Sequence, residues 1–266
     1  MLPEILGLDH LVVLVRDLDA AAAAWRRLGF TLSPRGEHSA HMKTANHTIM
    51  FGPNYLELMA LTGESPTNVR WRRTLAAREG LAGAALGLGD ADRAAAALGG
   101  LAVRRFGRPV AMPDGTSIEA RFAVFDIADD ATPDLRLFAC QHLVREATWA
   151  PGLTDHANRA QAIRRVEIAD PDPDATAAAL AKRFGATAAK LDDAVRVGAG
   201  EAAFEVMTPA AFRARHGAAP PAGPAAIVLR VADRDAALRA LVGGAHRVVG
   251  DGIETSISGV LLRLEP

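Results

Sequence analysis

Short apolar runs alternate along the chain with alanine-rich segments of helical length, and this alternation occurs four times. The first copy starts with the apolar run 11–15, continues with Asp17 and the alanine-rich run 20–25, and stops at Gly29. An apolar run of this length predicts a buried strand, while an acidic residue before an alanine-rich run and a glycine after it predict a capped helix. The other copies carry the same acidic position at Asp90, Asp170 and Asp233.

Each copy also closes on a strand in which one charged residue stands between apolar neighbours. These four residues are Glu57, Arg136, Glu205 and Arg263. They follow the capping aspartates by roughly 30–46 residues, which leaves room for a helix, three short strands and their turns. Turn-forming residues occur at 52–54, 113–115, 198–200 and 257–259. We therefore predict an α+β fold of four tandem βαβββ modules, with curved mixed sheets and helices packed outside them.

The modules group into two halves separated by segments rich in turn-forming residues. Residues 1–142 are predicted to form one domain of two modules, and 162–266 a second half of two shorter modules. The linker between them, 143–161, contains Pro151 and Gly152. A second connector, 209–224, is expected between the third and fourth modules.

Composition excludes several classes of function. Half of the residues are hydrophobic and the net charge is −1, which is the balance of a globular protein without an electrostatic surface for nucleic acid or anionic membrane. No apolar run reaches the length of a membrane span. The single cysteine, Cys140, excludes an intrachain disulfide, fits a reducing compartment and is expected to be a small buried residue. We therefore expect a cytoplasmic protein.

The opening and closing strands of the first module resemble those of a known superfamily. Residues 8–18 (LDHLVVLVRDL) and 55–58 (YLEL) are similar to the corresponding strands of the vicinal oxygen chelate superfamily, which includes glyoxalase I, extradiol dioxygenases, and the fosfomycin and bleomycin resistance proteins. A narrower resemblance to glyoxalase-like-domain proteins rests on the segments 44–47, 108–110, 120–122, 138–142 and 156–158. Beyond about residue 160 only the repeat is shared.

The resemblance implies a cup-shaped sheet whose first and last strands hold a divalent metal ion (Fe, Mn, Ni or Zn). Because side chains alternate along a strand, His10 and Glu57 can both face the cup. An imidazole and a carboxylate are two members of a His/carboxylate metal site. Glu57 is also the candidate catalytic residue. If no metal binds, His10 would be a strand-end histidine bonded to backbone, whereas Glu57 between leucines would still need a cation or strong donors.

The second module offers no metal ligand at the matching positions, which are occupied by Gly83 and Arg136. A third ligand is therefore expected elsewhere. His142 is the first choice because it shares a strand face with Arg136, although it lies about 20 Å farther along the strand. His47 on a neighbouring strand and His156 in the linker are the alternatives.

The third and fourth modules carry Ile163 and Ala226 where His10 stands in the first. Their charged positions, Glu205 and Arg263, have no histidine beside them. We expect this half to be a structural partner that completes the sheet or forms the surface of a homodimer.

Substrate binding is expected to involve Arg136, with Arg121 and His47 as further candidates, because a guanidinium in the cup can hold an anionic group. Alternatively, Arg136 pairs with Glu57 and the site holds no metal. The polar segment 36–41, with its two histidines His38 and His41, is predicted to be a loop over the cup mouth with solvated side chains.

Two functions follow from these expectations. In the first, the protein is a metal-dependent enzyme that chelates two neighbouring oxygens of a small molecule and catalyses an isomerase, lyase or dioxygenase reaction. The alternative is a metal-free protein that binds or sequesters a small molecule, as bleomycin resistance proteins do. The first function requires that His10 and Glu57 approach within roughly 3–4 Å of each other in a cavity built from residues before 160.

Overall fold

The computed structural model describes residues 2, 4–112, 114–127, 132, 134–221, 223–241 and 245–266. Within these residues the chain forms two eight-stranded sheets and six α-helices. The predicted turn at 113–115 falls partly outside the described residues, and the glycines 243–244, which follow the fourth alanine-rich run in the sequence, fall wholly outside them.

The first sheet contains β1 (Ile5–Leu14), β2 (Gly36–Glu37), β3 (Thr44–Met50), β4 (Tyr55–Leu61), β5 (Gly80–Leu88), β6 (Arg104–Ala111), β7 (Ser117–Asp126) and β8 (Arg136–His142). The second contains β9 (Ala160–Ala169), β10 (Ala188–Lys190), β11 (Val195–Ala199), β12 (Ala202–Met207), β13 (Ala226–Val231), β14 (Arg247–Val249), β15 (Gly252–Ile257) and β16 (Val260–Glu265). The helices are α1 (Leu18–Arg27), α2 (Val69–Ala77), α3 (Ala91–Ala97), α4 (Pro173–Phe184), α5 (Pro209–His216) and α6 (Arg234–Ala240).

The strand order confirms the predicted fold class of four βαβββ modules. The first sheet runs β2-β3-β4-β1-β5-β8-β7-β6, and the second runs β10-β11-β12-β9-β13-β16-β15-β14. In every module the closing strand pairs in parallel with the opening strand, and two modules join through antiparallel opening strands. The expectation that the second half completes the first sheet is wrong, because its own opening strands β9 and β13 pair with each other.

Local capping explains where the repeated helices begin. Asp17, Asp90 and Asp233 cap α1, α3 and α6 by accepting backbone N–H bonds from the first helical turn, as predicted. In the third module the cap is Asp172 instead of Asp170, because Pro173 occupies the first helical position.

One hydrophobic core joins the two sheets. A single cluster of buried side chains includes residues of α1, α3, α4 and α6 and the helix-side faces of both sheets. Trp25 of α1 is fully buried in this cluster, and its Nε1 donates a hydrogen bond to Oγ of Ser258 in the second half. Along the chain, the segment 143–159 separates the strands of the first sheet from those of the second. The division of the chain into two domains remains a prediction.

The opposite face of each sheet forms a cup, against which α2 or α5 packs. Trp71 of α2 packs on Val12 and Met59 in the first cup. In the second cup, Phe212 of α5 packs on Met207 and Leu261. Across the described parts of the chain, every helix is too short or too polar to cross a membrane.

Candidate functional site

The cup of the first sheet encloses a cavity of about 600 Å³ that is lined entirely by residues before 150. Its walls are mainly apolar and aromatic, and a group of polar side chains from β1, β3, β4 and the segment after β2 faces the interior. The polar group consists of His10, His38, Asn46 and Glu57. The expectation that the first two modules build the main cavity is therefore met.

His10 is positioned by an irregularity in β1. Leu8 pairs with Leu86 and His10 pairs with Ala85, so Asp9 is an extra residue that forms a β-bulge. The bulge brings Oδ2 of Asp9 to 2.6 Å from Nδ1 of His10. Because a carboxylate accepts hydrogen bonds, Nδ1 carries a proton, and Nε2 is the nitrogen that faces the cavity.

Glu57 is 7% exposed and is held by Asn46 on the neighbouring strand β3. Nδ2 of Asn46 donates to Oε1 of Glu57 over 2.6 Å. Oε2 of Glu57 lies 4.0 Å from Nε2 of His10. The predicted approach of His10 and Glu57 is thus found, while their role as metal ligands remains a prediction.

His38 is a site residue that sequence analysis assigned wrongly. Its side chain is 11% exposed, and its Nε2 lies 3.4 Å from Oε1 of Glu57. Nδ1 is bonded to Oγ1 of Thr44 over 2.8 Å. Burial lowers the pKa of His38, and although Glu57 opposes this shift, Arg108 adds to it, so the imidazole is neutral near pH 7. The prediction of a solvated histidine fails because β2 folds back onto β3 and carries His38 into the cup.

Two imidazole nitrogens flank the carboxylate of Glu57. Nε2 of His38 lies 3.4 Å from Oε1, and Nε2 of His10 lies 4.0 Å from Oε2, which is too long for a hydrogen bond. Among the hydrogen bonds of the described residues, only Nδ2 of Asn46 donates to this carboxylate. Carboxylate and imidazole are ligand types that suit a divalent cation of the first transition row, and the ligand atoms of His10, His38 and Glu57 are not all within 4.8 Å of one another.

His142 lies at a different place from the one expected for a third ligand. Its Nε2 is 3.0 Å from Oδ2 of Asp9, and its Nδ1 is 3.3 Å from Oγ1 of Thr148. Burial would raise the pKa of Asp9, but the contacts with His142 and His10 outweigh burial and hold it well below its usual range. His142 therefore bonds to the carboxylate that orients His10, and it does not contact Glu57.

Within the described residues, Asp9, Cys140 and His142 are the one group of three ligand-type side chains whose atoms lie within 4.8 Å of one another. Cys140 is buried, as expected. Burial and the nearby Asp9 raise the pKa of its thiol well above the usual value, so the thiol keeps its proton. We interpret Asp9 and His142 as a hydrogen-bonded support for His10, with Cys140 close beside them.

Arg136 lines the cavity, but the sequence comparison matched it to the wrong residue. Arg136 pairs with Gly83, just as Tyr55 pairs with His10, so Arg136 corresponds to Tyr55, and Phe138 corresponds to Glu57. The error is a slip of two residues, which preserves the strand face.

The alternative in which Arg136 pairs with Glu57 is not present in the structure. Nε of Arg136 donates to Oδ1 of Asp126 over 2.9 Å, and the guanidinium lies 4.9 Å from the ring centre of Trp71. The negative charge of Glu57 is therefore not neutralised by Arg136.

Three further predicted residues lie outside the cavity. His47 points to the opposite face of β3, where its Nδ1 bonds to the backbone oxygen of Ser33. Arg121 is exposed on β7. His156 uses both ring nitrogens on backbone groups, one from Thr31 and one from Met50. The expectations of substrate binding by His47 and Arg121, and of metal binding by His47 or His156, are corrected accordingly.

The second cup is closed by ion pairs. The register of β9 and β13 places Arg165, and not Ile163, at the position of His10, whereas Ala226 stands at its predicted position. His216 of α5 is fully buried, with Nε2 2.5 Å from Oε2 of Glu167 and Nδ1 2.7 Å from Oε1 of Glu254. This half holds α5 where the first half holds a cavity.

Comparison with known proteins gives both a family and a fold. The glyoxalase-like domain model matches residues 8–184. No curated protein sequence matches the chain. A hypothetical protein from Staphylococcus aureus has a similar structure, with a TM-score of 0.70 and 12% identity over 97% of this chain and 98% of that chain.

Two other solved structures share the fold. The Mn(II)-bound glyoxalase from Novosphingobium aromaticivorans has a TM-score of 0.58 and 11% identity over 98% of this chain and 82% of that chain. A mutant of 4-hydroxymandelate synthase from Streptomyces coelicolor has a TM-score of 0.55 and 12% identity over 98% of this chain and 92% of that chain. Since the family model covers most of the chain and the strand order is that of tandem βαβββ modules, the chain belongs to the glyoxalase-like domain family of the vicinal oxygen chelate superfamily.

Proposed function

We propose that the protein is a metal-dependent enzyme that acts on a small molecule through two neighbouring oxygens, in an isomerase, lyase or dioxygenase reaction. The observation that carries this proposal is a buried carboxylate flanked by two imidazole nitrogens, at 3.4 Å and 4.0 Å, in one cavity, with one amide as the N–H donor to the carboxylate. Buried acceptors without donors are costly. A divalent cation would remove that cost.

His10, Glu57 and His38 are the proposed ligands, with His38 in the place first assigned to His142. A bound divalent ion would supply Lewis-acid polarisation of the substrate oxygens. Asp9 keeps the proton of His10 on Nδ1, and Asn46 orients the carboxylate of Glu57. Carboxylate–histidine contacts of this kind fix the tautomer and the ring orientation of metal-binding histidines.

The walls of the cavity contribute by limiting water. Phe122, Phe138 and Trp71 line it, and Tyr55 stacks on His10 with ring centres 4.5 Å apart. Burial raises the pKa of Tyr55 well above its usual value, so its hydroxyl stays neutral. A water-poor pocket strengthens every charged contact with the substrate.

Metal titration tests the proposal. Protein purified without a histidine tag and stripped with a chelator is titrated with Mn²⁺, Zn²⁺, Fe²⁺ and Ni²⁺ by calorimetry. We expect one site per chain in the native protein and a loss of affinity of at least about 100-fold in Glu57→Gln, more than loss of an outer-shell partner costs. Glu119→Gln, an exposed glutamate on β7, is the matched control and should bind as the native protein does.

The third ligand is decided by two further variants. We expect His38→Ala to weaken metal binding strongly and His142→Ala to weaken it less, because His142 acts through Asp9. Native protein that binds none of the four metals, or a Glu57→Gln variant that binds as tightly as native, would overturn the metal-dependent function and favour metal-free binding of a small molecule.

A further inference from the structure

Four arginines line the cavity, and three of them form ion pairs with carboxylates of the chain. Arg104 pairs with Asp126 at 2.9 Å, Arg136 shares the same carboxylate, and Arg105 pairs with Asp92. The fourth, Arg108, has no carboxylate within 4.0 Å among the residues that the structure describes. The sequence pattern does not separate these four arginines from the other arginines of the chain. It suggested only Arg136 and Arg121 as substrate-binding residues.

Arg108 is held close to the polar centre of the cavity. It lies on β6, is partly buried, and borders both the main cavity and the adjoining one. A Cβ on Gly36 would lie 2.9 Å from Nη1 of Arg108 and 2.6 Å from Oδ1 of Asn46. The guanidinium and the amide that holds Glu57 therefore approach the same point above Gly36, where only glycine leaves room for both.

A partly buried guanidinium without an acidic partner has an unused set of donors. Guanidinium presents two parallel N–H groups that match the two oxygens of a carboxylate. In a pocket of low polarity such a pair is stronger than in water. The position is thus suited to an anion from outside the chain.

The cavity wall beside Arg108 indicates the chemical character of the rest of the ligand. Phe106 and Phe122 pack together with ring centres 5.4 Å apart on the strands β6 and β7. Phe138 and Val124 extend this surface along the cavity. An apolar or aromatic group that extends from an anion on Arg108 would be buried against these side chains.

We propose that the substrate is an organic carboxylate with an apolar or aromatic body, and that Arg108 binds its carboxylate. The inference rests on the proposed function in that it takes this cavity to be the substrate site. It does not depend on the identity of the metal.

Binding of matched acids and amides tests this assignment. Benzoate, phenylacetate, 3-phenylpropionate and 4-phenylbutyrate, and the amide of each, are titrated by calorimetry into chelator-treated full-length protein at fixed ionic strength. We expect at least one carboxylate to bind more tightly than its amide. We also expect Arg108→Gln to weaken that carboxylate about 10- to 100-fold, the usual effect of losing one charged hydrogen-bonding group. Arg121→Gln, an exposed arginine outside the cavity, should leave the affinity unchanged.

The outcomes separate this inference from the proposed function because no metal is needed for the titration. The assignment of Arg108 is overturned if no carboxylate binds more tightly than its amide, or if Arg108→Gln binds the carboxylate as native protein does. If Arg108-dependent binding is found in a protein that takes up none of the four metals, the inference stands and the metal-dependent function fails.

Discussion

At the residue scale, Gly83 and Trp71 show why the second module forms an apolar wall of the cavity at the position where the first module carries His10. Gly83 stands in the second module where His10 stands in the first. A Cβ at Gly83 would lie 2.8 Å from Cη2 of Trp71 and 3.3 Å from Cβ of Val12. The absence of a side chain at Gly83 therefore allows the indole of Trp71 to enter the cup, where Arg136 stacks on it.

We expect Gly83→Ala to lower the free energy of unfolding by about 1–3 kcal/mol, as overpacking of a rigid core does. The measurement is urea unfolding followed by circular dichroism. Gly198→Ala is the matched control, because Gly198 is also a strand glycine but has open space around its Cα. Equal stability of the two variants would show that Trp71 moves aside without cost.

At the scale of elements, α2 and α5 occupy corresponding places in the two halves and have opposite effects. Each follows the closing strand of the first module in its half. α2 leaves the cavity open beside Trp71, whereas α5 inserts Arg215 and His216 among Glu167, Glu205 and Glu254. The second cup is therefore filled by charges that satisfy one another.

This network predicts a pH dependence of stability. Burial would lower the pKa of His216, but the bonds to Glu167 and Glu254 outweigh it and raise the pKa above 6.5. The contribution of His216 to stability is thus complete below pH 6.5 and is lost as pH rises through the raised pKa. Burial would raise the pKa of Glu167, but His216 and the arginines lower it from 4.5 to about 2, so its contribution is lost as pH falls below 4.5.

We expect the native protein to lose more stability than His216→Gln between pH 5.5 and pH 8.5, because the variant lacks the titrating imidazole. Urea unfolding at pH 5.5 and 8.5 measures the difference. Equal losses of unfolding free energy in the two proteins would mean that groups other than His216 cause the decrease in stability at alkaline pH.

At the scale of the whole molecule, paired close approaches of glycine backbones join the two halves. Gly7 in β1 meets Gly200 in the turn between β11 and β12, and Gly80 in β5 meets Gly259 in the turn between β15 and β16. All four have positive φ, between +71° and +135°. A Cβ on Gly259 would lie 2.7 Å from the backbone oxygen of Glu79. These contacts and the shared core predict that the halves unfold together.

We expect one cooperative thermal transition in the native protein and a lower melting temperature in Gly259→Ala. Gly250→Ala is the matched control, since Gly250 also has positive φ in a hairpin turn of the second sheet but has no neighbour within 4 Å. Both variants carry backbone strain of roughly 1–3 kcal/mol, and only Gly259→Ala adds the clash between halves. Two separate transitions in native protein, or equal melting temperatures of the two variants, would contradict the shared-core argument.

The sequence alone was sufficient for the fold class and for the approach of His10 and Glu57 within one cavity. Strand alternation, helix capping and helix termination depend on residues within a few positions of each other, so the four modules and the shared face of these two residues were predictable. The tertiary structure alone decided the bulge at Asp9, the inward position of His38, the correspondence of Arg136 with Tyr55, and the lack of a carboxylate partner for Arg108 among the described residues. Each of these depends on strand register and on contacts between residues far apart in the chain, and a shift of two residues preserves every local pattern while it changes which side chains meet.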